Sequence, residues 1–138
     1  LPTRTSLTAM SECEVCHVPR HILLQWVEKD RRNYEHIIHH ECRKSLVFVQ
    51  HIELLSIPTV RCRIATLLLS LCSSVGEEGL RIPLRLTHQQ IADIVHSDRV
   101  TVARIISELV KNALVTKVRG CLILVDVNHL CDLAMGLA

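Results

Sequence analysis

A chain of 138 residues with 49% hydrophobic side chains is long enough to bury a core without disulfides, and its net charge of +2 is too small to assign a partner by itself. With one Trp, one Tyr and one Phe, that core has to be packed by Leu, Ile and Val. No apolar run approaches the ~18 residues of a membrane span. The sequence also lacks a Gly-rich phosphate loop, a nucleophile motif and a carboxylate pair with an evident partner, which argues against a membrane protein and against an enzyme.

Seven cysteines, an odd number, stand beside an N-terminus without the charged-then-apolar layout of a secretory signal. Free thiols in a reducing compartment are expected. Leu1 occupies the first position instead of Met, so a fragment of a longer protein is one reading. Charge is unevenly placed. Residues 1–80 balance nine basic against nine acidic side chains, whereas residues 81–125 carry seven basic (Arg81, Arg85, Arg99, Arg104, Lys111, Lys117, Arg119) against three acidic (Asp93, Asp98, Glu108). A basic block of this kind is what a polyanion-binding surface requires.

In chain order, "SECEVCH" places Cys13, Cys16 and His17 in the C-x-x-C-H spacing of c-type haem attachment. Covalent haem normally accompanies export, and so short a motif arises easily in a Cys-rich chain. Cys13, Cys16 and His17 joined by His39, His40 or Cys42 would make a tetrahedral zinc set. Against this, His39 and His40 project about 100° apart on a single helix. A redox role for Cys13 and Cys16 stands level with the metal reading; free, partly buried thiols are the expectation.

After Pro19, Ile22, Leu23, Trp26 and Val27 repeat at helical spacing. A longer helix is expected from about Asn33 to Ser56, with Ile38, Cys42, Ser45, Val49 and Ile52 stepping four and three residues at a time. That step suits a two-helix seam, although packing within its own domain fits the periodicity equally well. Pro58 ends the pattern, and Thr59 caps a helix from Val60 to Ser73. "GEEG", Gly76 to Gly79, reads as a turn, and "LRIPLRL", Leu80 to Leu86, as an extended piece.

Leu86 to Val115 is the informative run. Thr87 and Gln90 form a capping box that starts a helix at His88, with Ile91, Ile94 and Val95 on its apolar face. His96 and Ser97 interrupt it, and Asp98 caps a second helix from Arg99 to about Asn112. The second helix buries Val102, Ile105, Ile106 and Leu109 and shows Arg99, Val100, Thr101 and Arg104 on the opposite face. Two helices joined by a tight turn, the second opening with cationic and hydroxyl residues, form a helix-turn-helix. In that arrangement an Arg bonds guanine and a small apolar residue touches a thymine methyl. The competing account is a structural helix pair with solvated arginines. "VTKVRGCLILV", Val115 to Val125, reads as two strands around Arg119-Gly120, with Lys117 and Arg119 placed to reach phosphates.

The run "IADIVHSDRVTVARII" resembles the winged helix-turn-helix of the Crp/Fnr transcription factors: Ala92 is the small residue of the first helix, and Arg99 to Arg104 give R-x-T-V-x-R. Within that family the chain is similar to the NtcA-like nitrogen regulators of cyanobacteria and red-algal plastids, with Val100 where many relatives carry Glu. "IELLS", the "LLLSLC" ending at Cys72, and "LRLTHQQIA" are similar as well. The resemblance covers about residues 9 to 127 and implies a mainly α fold. Residues 1–18 would be the tail of an effector β-roll, 19–57 helices including a long dimerisation helix, and 58–138 the winged helix-turn-helix domain.

The resemblance further implies a sequence-specific DNA-binding regulator in nitrogen control, acting as a homodimer on double-stranded DNA, with the transcription machinery as a further partner. No cofactor and no membrane association are implied, and bacterial cytoplasm or plastid stroma would be the setting. Arg99 and Arg104 would read guanine or an adjacent phosphate, and Val100 a thymine methyl in GTA…TAC half-sites. Thr101, His88, Gln89, Lys117, Arg119 and Arg61 would contact the backbone. Two departures stand out. His96 occupies a turn position that is usually Gly, and most of the β-roll that holds 2-oxoglutarate in the nitrogen-control branch is missing, so no effector residue is carried over. The rival readings are a metal- or redox-sensing module built on Cys13, Cys16 and His17, or a protein-interaction fragment using the long helix.

Overall fold

The structure is a computed structural model that describes residues 8–9, 12–72, 74–76, 79–82, 85–118 and 120–137. It divides into two compact units, residues 1–44 and 45–138.

In the first unit, residues 12–19 carry no regular secondary structure. The resemblance expects the last strand of a β-roll here; a strand is held by bonds to a neighbour, and this segment makes no such ladder. The helix expected after it is present. α1 (Arg20–Lys29) opens behind Pro19, whose carbonyl accepts from the Leu23 amide at 3.1 Å, and Val27 is its buried residue. Asp30 then leaves the helix at φ −149°. Its carboxylate accepts from the Arg32 amide at 2.9 Å and from the Arg32 guanidinium at 2.8 Å, which caps α2 (Arg31–Ser56). The long helix therefore begins two residues before Asn33, the start expected from apolar periodicity alone.

The second unit contains the last turns of α2, four further helices and a small sheet. Thr59 caps α3 (Val60–Ser70), its hydroxyl accepting from the Cys62 amide at 3.2 Å. α3 stops at Ser70, short of the expected Ser73: the Leu71 amide makes the last helical bond, to the Leu67 carbonyl, and the Cys72 amide tightens onto Leu69 instead of continuing the ladder. Two short strands follow, β1 (Ser74–Gly76) and β2 (Gly79–Arg81), paired antiparallel with Gly76 opposite Gly79. The turn expected over Gly76 to Gly79 falls on Glu77 and Glu78, which lie outside the described residues. Of the extended piece expected to Leu86, the described residues are strand as far as Arg81, and the Ile82 amide still bonds the Leu122 carbonyl at 3.0 Å; Pro83 and Leu84 lie outside the described residues.

α4 (His88–Val95) and α5 (Arg99–Lys111) come next, then β3 (Val115–Val118) and β4 (Cys121–Leu124), which pair antiparallel as expected. The sheet order is β1-β2-β4-β3. α6 (Val127–Ala134), not anticipated from the sequence, is capped by Asp126 and packs Leu130 and Leu133 onto α3. The core joins Ile64, Ala65 and Leu68 of α3 to Ile91, Val102, Ile106, Leu109 and Leu124, all fully or almost fully buried. It is the Leu, Ile and Val interior that a chain so poor in aromatics must build.

Candidate nucleic-acid interface

The site is assembled from helix ends. At α4, the Thr87 hydroxyl accepts from the Gln90 amide at 3.1 Å while the Gln90 side chain accepts from the Thr87 amide at 2.8 Å. Two amides that the first turn leaves unpaired are satisfied reciprocally, and the box sets His88 and Gln89 at the start of the helix. Ile91, Ala92 and Val95 anchor it in the core.

The turn is made by His96, which adopts a left-handed conformation with φ 52° and ψ 63°. Its neighbour Ser97 returns its amide to the Ala92 carbonyl at 2.9 Å. Glycine meets no side-chain penalty in that region, and His adopts it more readily than most other residues. The turn expected despite the missing Gly is therefore formed.

Asp98 caps α5. Its carboxylate accepts from the Thr101 amide at 2.8 Å and from the Thr101 hydroxyl at 2.6 Å, and these bonds hold the Asp98 carboxyl below its ordinary pKa. The Thr101 hydroxyl proton is therefore committed to the cap. Val102, Ile105, Ile106 and Leu109 are buried along one side of α5, leaving Arg99, Val100 and Arg104 exposed on the other. Arg104 makes a 3.4 Å pair with Glu108, exposed and weak. Gln89 donates to Asp93 at 2.8 Å.

The β3–β4 hairpin brings a further cation to this surface. Lys117 is exposed on β3, opposite Leu122, and Gly120 turns the hairpin at φ 82°. Arg119 lies outside the described residues. A cleft of about 170 Å³ runs between α4 and the hairpin, lined by Leu86, His88, Ile91, Ile106, Lys117, Gly120 and Leu122. The half-buried His88 is held below its ordinary pKa, first by burial and then by the positive charges of Lys117 and Arg99. Three of the expected DNA-contacting residues, one from each of α4, α5 and β3, are thus near enough to act on one another. Arg61 is exposed in the first turn of α3.

Two arginines to which the sequence reading gave no role belong to the same hairpin region. The Arg85 side chain runs beside Gly120, where a Cβ would meet its Nε at 3.8 Å. Arg81 donates to the Cys121 sulfur at 3.7 Å. Arg81 first, and Arg85 with it, hold the Cys121 thiol below its ordinary pKa. The basic excess of this block was the only available signal, because neither neighbour is close in sequence.

The other cluster is different. Cys13, Cys16 and His17 are all exposed, so the expectation of partly buried thiols is corrected: a segment without regular structure shelters none of them. Among the described residues no three His, Cys, Asp or Glu side chains come together to hold a metal ion. Among the same residues, no helix is long and apolar enough to cross a membrane.

Residues 62–133, just over half of the chain, match the Crp-like helix-turn-helix domain. Over 61 residues the chain is 41% identical to the global nitrogen regulator of Synechocystis sp., an alignment spanning 42% of this chain and 27% of that protein. A CRP/FNR-family transcriptional regulator from Thermus thermophilus superposes with a TM-score of 0.63 at 27% identity, over 79% of this chain and 57% of that one. FixK2 of Bradyrhizobium japonicum shares the fold with a TM-score of 0.71 at 21% identity, over 84% and 59%. The chain therefore spans little more than half of these regulators and about a quarter of the nitrogen regulator. The matched span contains the capping box, the left-handed turn and the exposed face of α5, and the chain belongs to the Crp-like helix-turn-helix family.

Proposed function

We propose that this chain is a sequence-specific DNA-binding transcriptional regulator in nitrogen control, with α5 entering the major groove N-terminus first. The observation that carries the reading is the two-sidedness of α5. Four apolar residues fix one face in the core, and Arg99, Val100 and Arg104 stand in solvent on the other. An Arg on such an edge reaches guanine O6 and N7 together, and an unpacked Val meets a thymine methyl. In this reading Thr101, His88, Gln89, Lys117, Arg61 and Arg119 touch the sugar-phosphate backbone and set the register, Thr101 by turning its hydroxyl proton from Asp98 to a phosphate.

Two copies paired along α2 would read two half-sites about one helical turn apart. The domain plan follows the same logic: 1–18 a remnant of an effector β-roll, 19–57 the helices that join copies, 58–138 the DNA-binding unit. A transcription regulator with free thiols belongs in a reducing compartment, bacterial cytoplasm or plastid stroma. It contacts the transcription machinery there and carries out no chemistry of its own.

Fluorescence anisotropy on a palindromic GTA…TAC duplex and a scrambled control, under reductant and at several salt concentrations, tests this. Tighter binding to the palindrome, with affinity falling steeply as salt rises, is the expected result. Equal and weak binding to both duplexes would mean that the helix pair senses charge alone.

A further inference from the structure

We propose that the cleft between α4 and the β3–β4 hairpin seats one DNA backbone phosphate, and that His88 takes up a proton as the phosphate arrives. The inference rests on the DNA-binding reading above and adds a proton to it. His88, Lys117 and Gly120 all line this cleft, whose volume is about 170 Å³. An ammonium and an imidazole facing one cleft are groups that bind a phosphodiester.

The charges around His88 decide its protonation. From β3 it faces Lys117 and from the start of α5 it faces Arg99; among the described residues both charges acting on it are positive. On its own helix, Asp93 is engaged by Gln89 at 2.8 Å, and Asp98 in the turn is tied to Thr101. Burial and two cations disfavour the imidazolium, so the free protein keeps this ring neutral to a lower pH than an ordinary histidine. A phosphate placed in the cleft reverses the sign of the local field. It offsets Lys117 and Arg99 and accepts a hydrogen bond from the imidazolium, so one proton is drawn from solvent for each half-site bound. Affinity must then rise as pH falls through the interval between the ring's free and bound pKa values, and flatten outside it. A phosphate contact carries no sequence information, so the same pH slope appears with any duplex.

The test is anisotropy of the full chain on the GTA…TAC duplex and on its scrambled control, from about pH 6 to about pH 8 at fixed ionic strength. Wild-type affinity is expected to fall about three- to tenfold per half-site over that interval on both duplexes. His88→Gln should bind more weakly at the acid end and lose the slope. His88→Lys, charged at every pH used, should lose the slope while holding its affinity at the alkaline end. Circular dichroism melts check that each variant is folded, and whichever is folded reads the slope. A wild type that binds but shows no pH dependence overturns the inference, as does a folded variant that keeps the wild-type slope. In both cases the DNA-binding reading stands. A wild type that binds neither duplex at any pH overturns that reading instead.

Discussion

Val100 is 78% exposed in the first turn of α5, flanked by the exposed Arg99 and by Thr101, whose hydroxyl serves the Asp98 cap. A valine so placed gains nothing from the fold of its own chain, and Arg99 makes no ion pair among the described residues. Their value lies in what they meet. If Arg99 reads a base edge as proposed, Arg99→Ala should cost about 1–3 kcal/mol on the preferred duplex and relax base preference. Lys117→Ala, in the same proposal a phosphate contact, should instead weaken every duplex alike and lower the salt slope by about 1. Anisotropy across a set of single-base variants of the half-site separates the two. If both substitutions lowered affinity uniformly across the set, Arg99 would be one more phosphate contact and the reading of base recognition would fall. That Arg99, Val100 and Arg104 stand exposed is legible in the sequence because helical periodicity alone decides which side of α5 is buried. The placement of Arg81 and Arg85 is not, because their neighbours Cys121 and Gly120 are brought to them only by the pairing of β2 with β4.

At the scale of elements, the ends of helices carry most of the specification. α5 closes with the Leu114 amide bonded to the Leu109 carbonyl at 3.0 Å and the Ala113 amide to Val110 at 3.1 Å, with Leu114 and Leu109 both buried. Those bonds, with the apolar pair, form a Schellman closure, which favours Gly at the left-handed position. Ala113 sits there at φ 56°. The strain of a Cβ in that region, about 1–2 kcal/mol, exceeds the about 0.5–1 kcal/mol of extra unfolded-state freedom that glycine brings. Ala113→Gly should therefore raise stability by about 0.5–1 kcal/mol and lift Tm by a few degrees in a thermal melt. A lower Tm would mean that the Ala113 methyl group is held by packing.

The same local chemistry explains what was readable in advance. Pro19, Thr59, the Thr87–Gln90 box and Asp98 mark helix starts with bonds made within a turn, so α1, α3, α4 and α5 and the β3–β4 hairpin were all expected close to where they stand. β1 and α6 were not. A three-residue strand is too short to show alternation, and its bonds come from β2. α6 is eight residues behind its Asp126 cap; Leu130 and Leu133 are buried and Val127 and Ala134 partly so, and that burial depends on α3 being there to receive it. The start of α2 was misplaced for a related reason: Asp30 caps it, yet no apolar residue signals the first turn.

For the whole molecule, the exposed side of α2 is the feature that a single copy leaves unexplained. Val49 is 50% exposed and Ile52 65%, with Leu46 and Phe48 also in solvent. A contiguous apolar surface of this kind on a helix is worth covering, at roughly 25 cal/mol for each Å² removed from water. In the proposed dimer a second copy would cover it with the same residues, and a two-fold axis through the seam would match the symmetry of a palindromic site. Val49→Glu with Ile52→Glu should leave each 15.6 kDa chain folded, because neither side chain is buried within one copy, while its melt drops to that of an isolated copy and loses any dependence on protein concentration. In sedimentation equilibrium the variant should run as a monomer where the wild type runs as a dimer. Affinity for a duplex with one half-site should stay the same, while the advantage of the palindrome over that half-site should disappear, since tethering, not a new contact, supplies it. A variant that stays dimeric would place the seam elsewhere than α2. A monomeric variant that still prefers the palindrome would mean that copies associate on the DNA through other surfaces, and the long helix would then be free to serve a different partner.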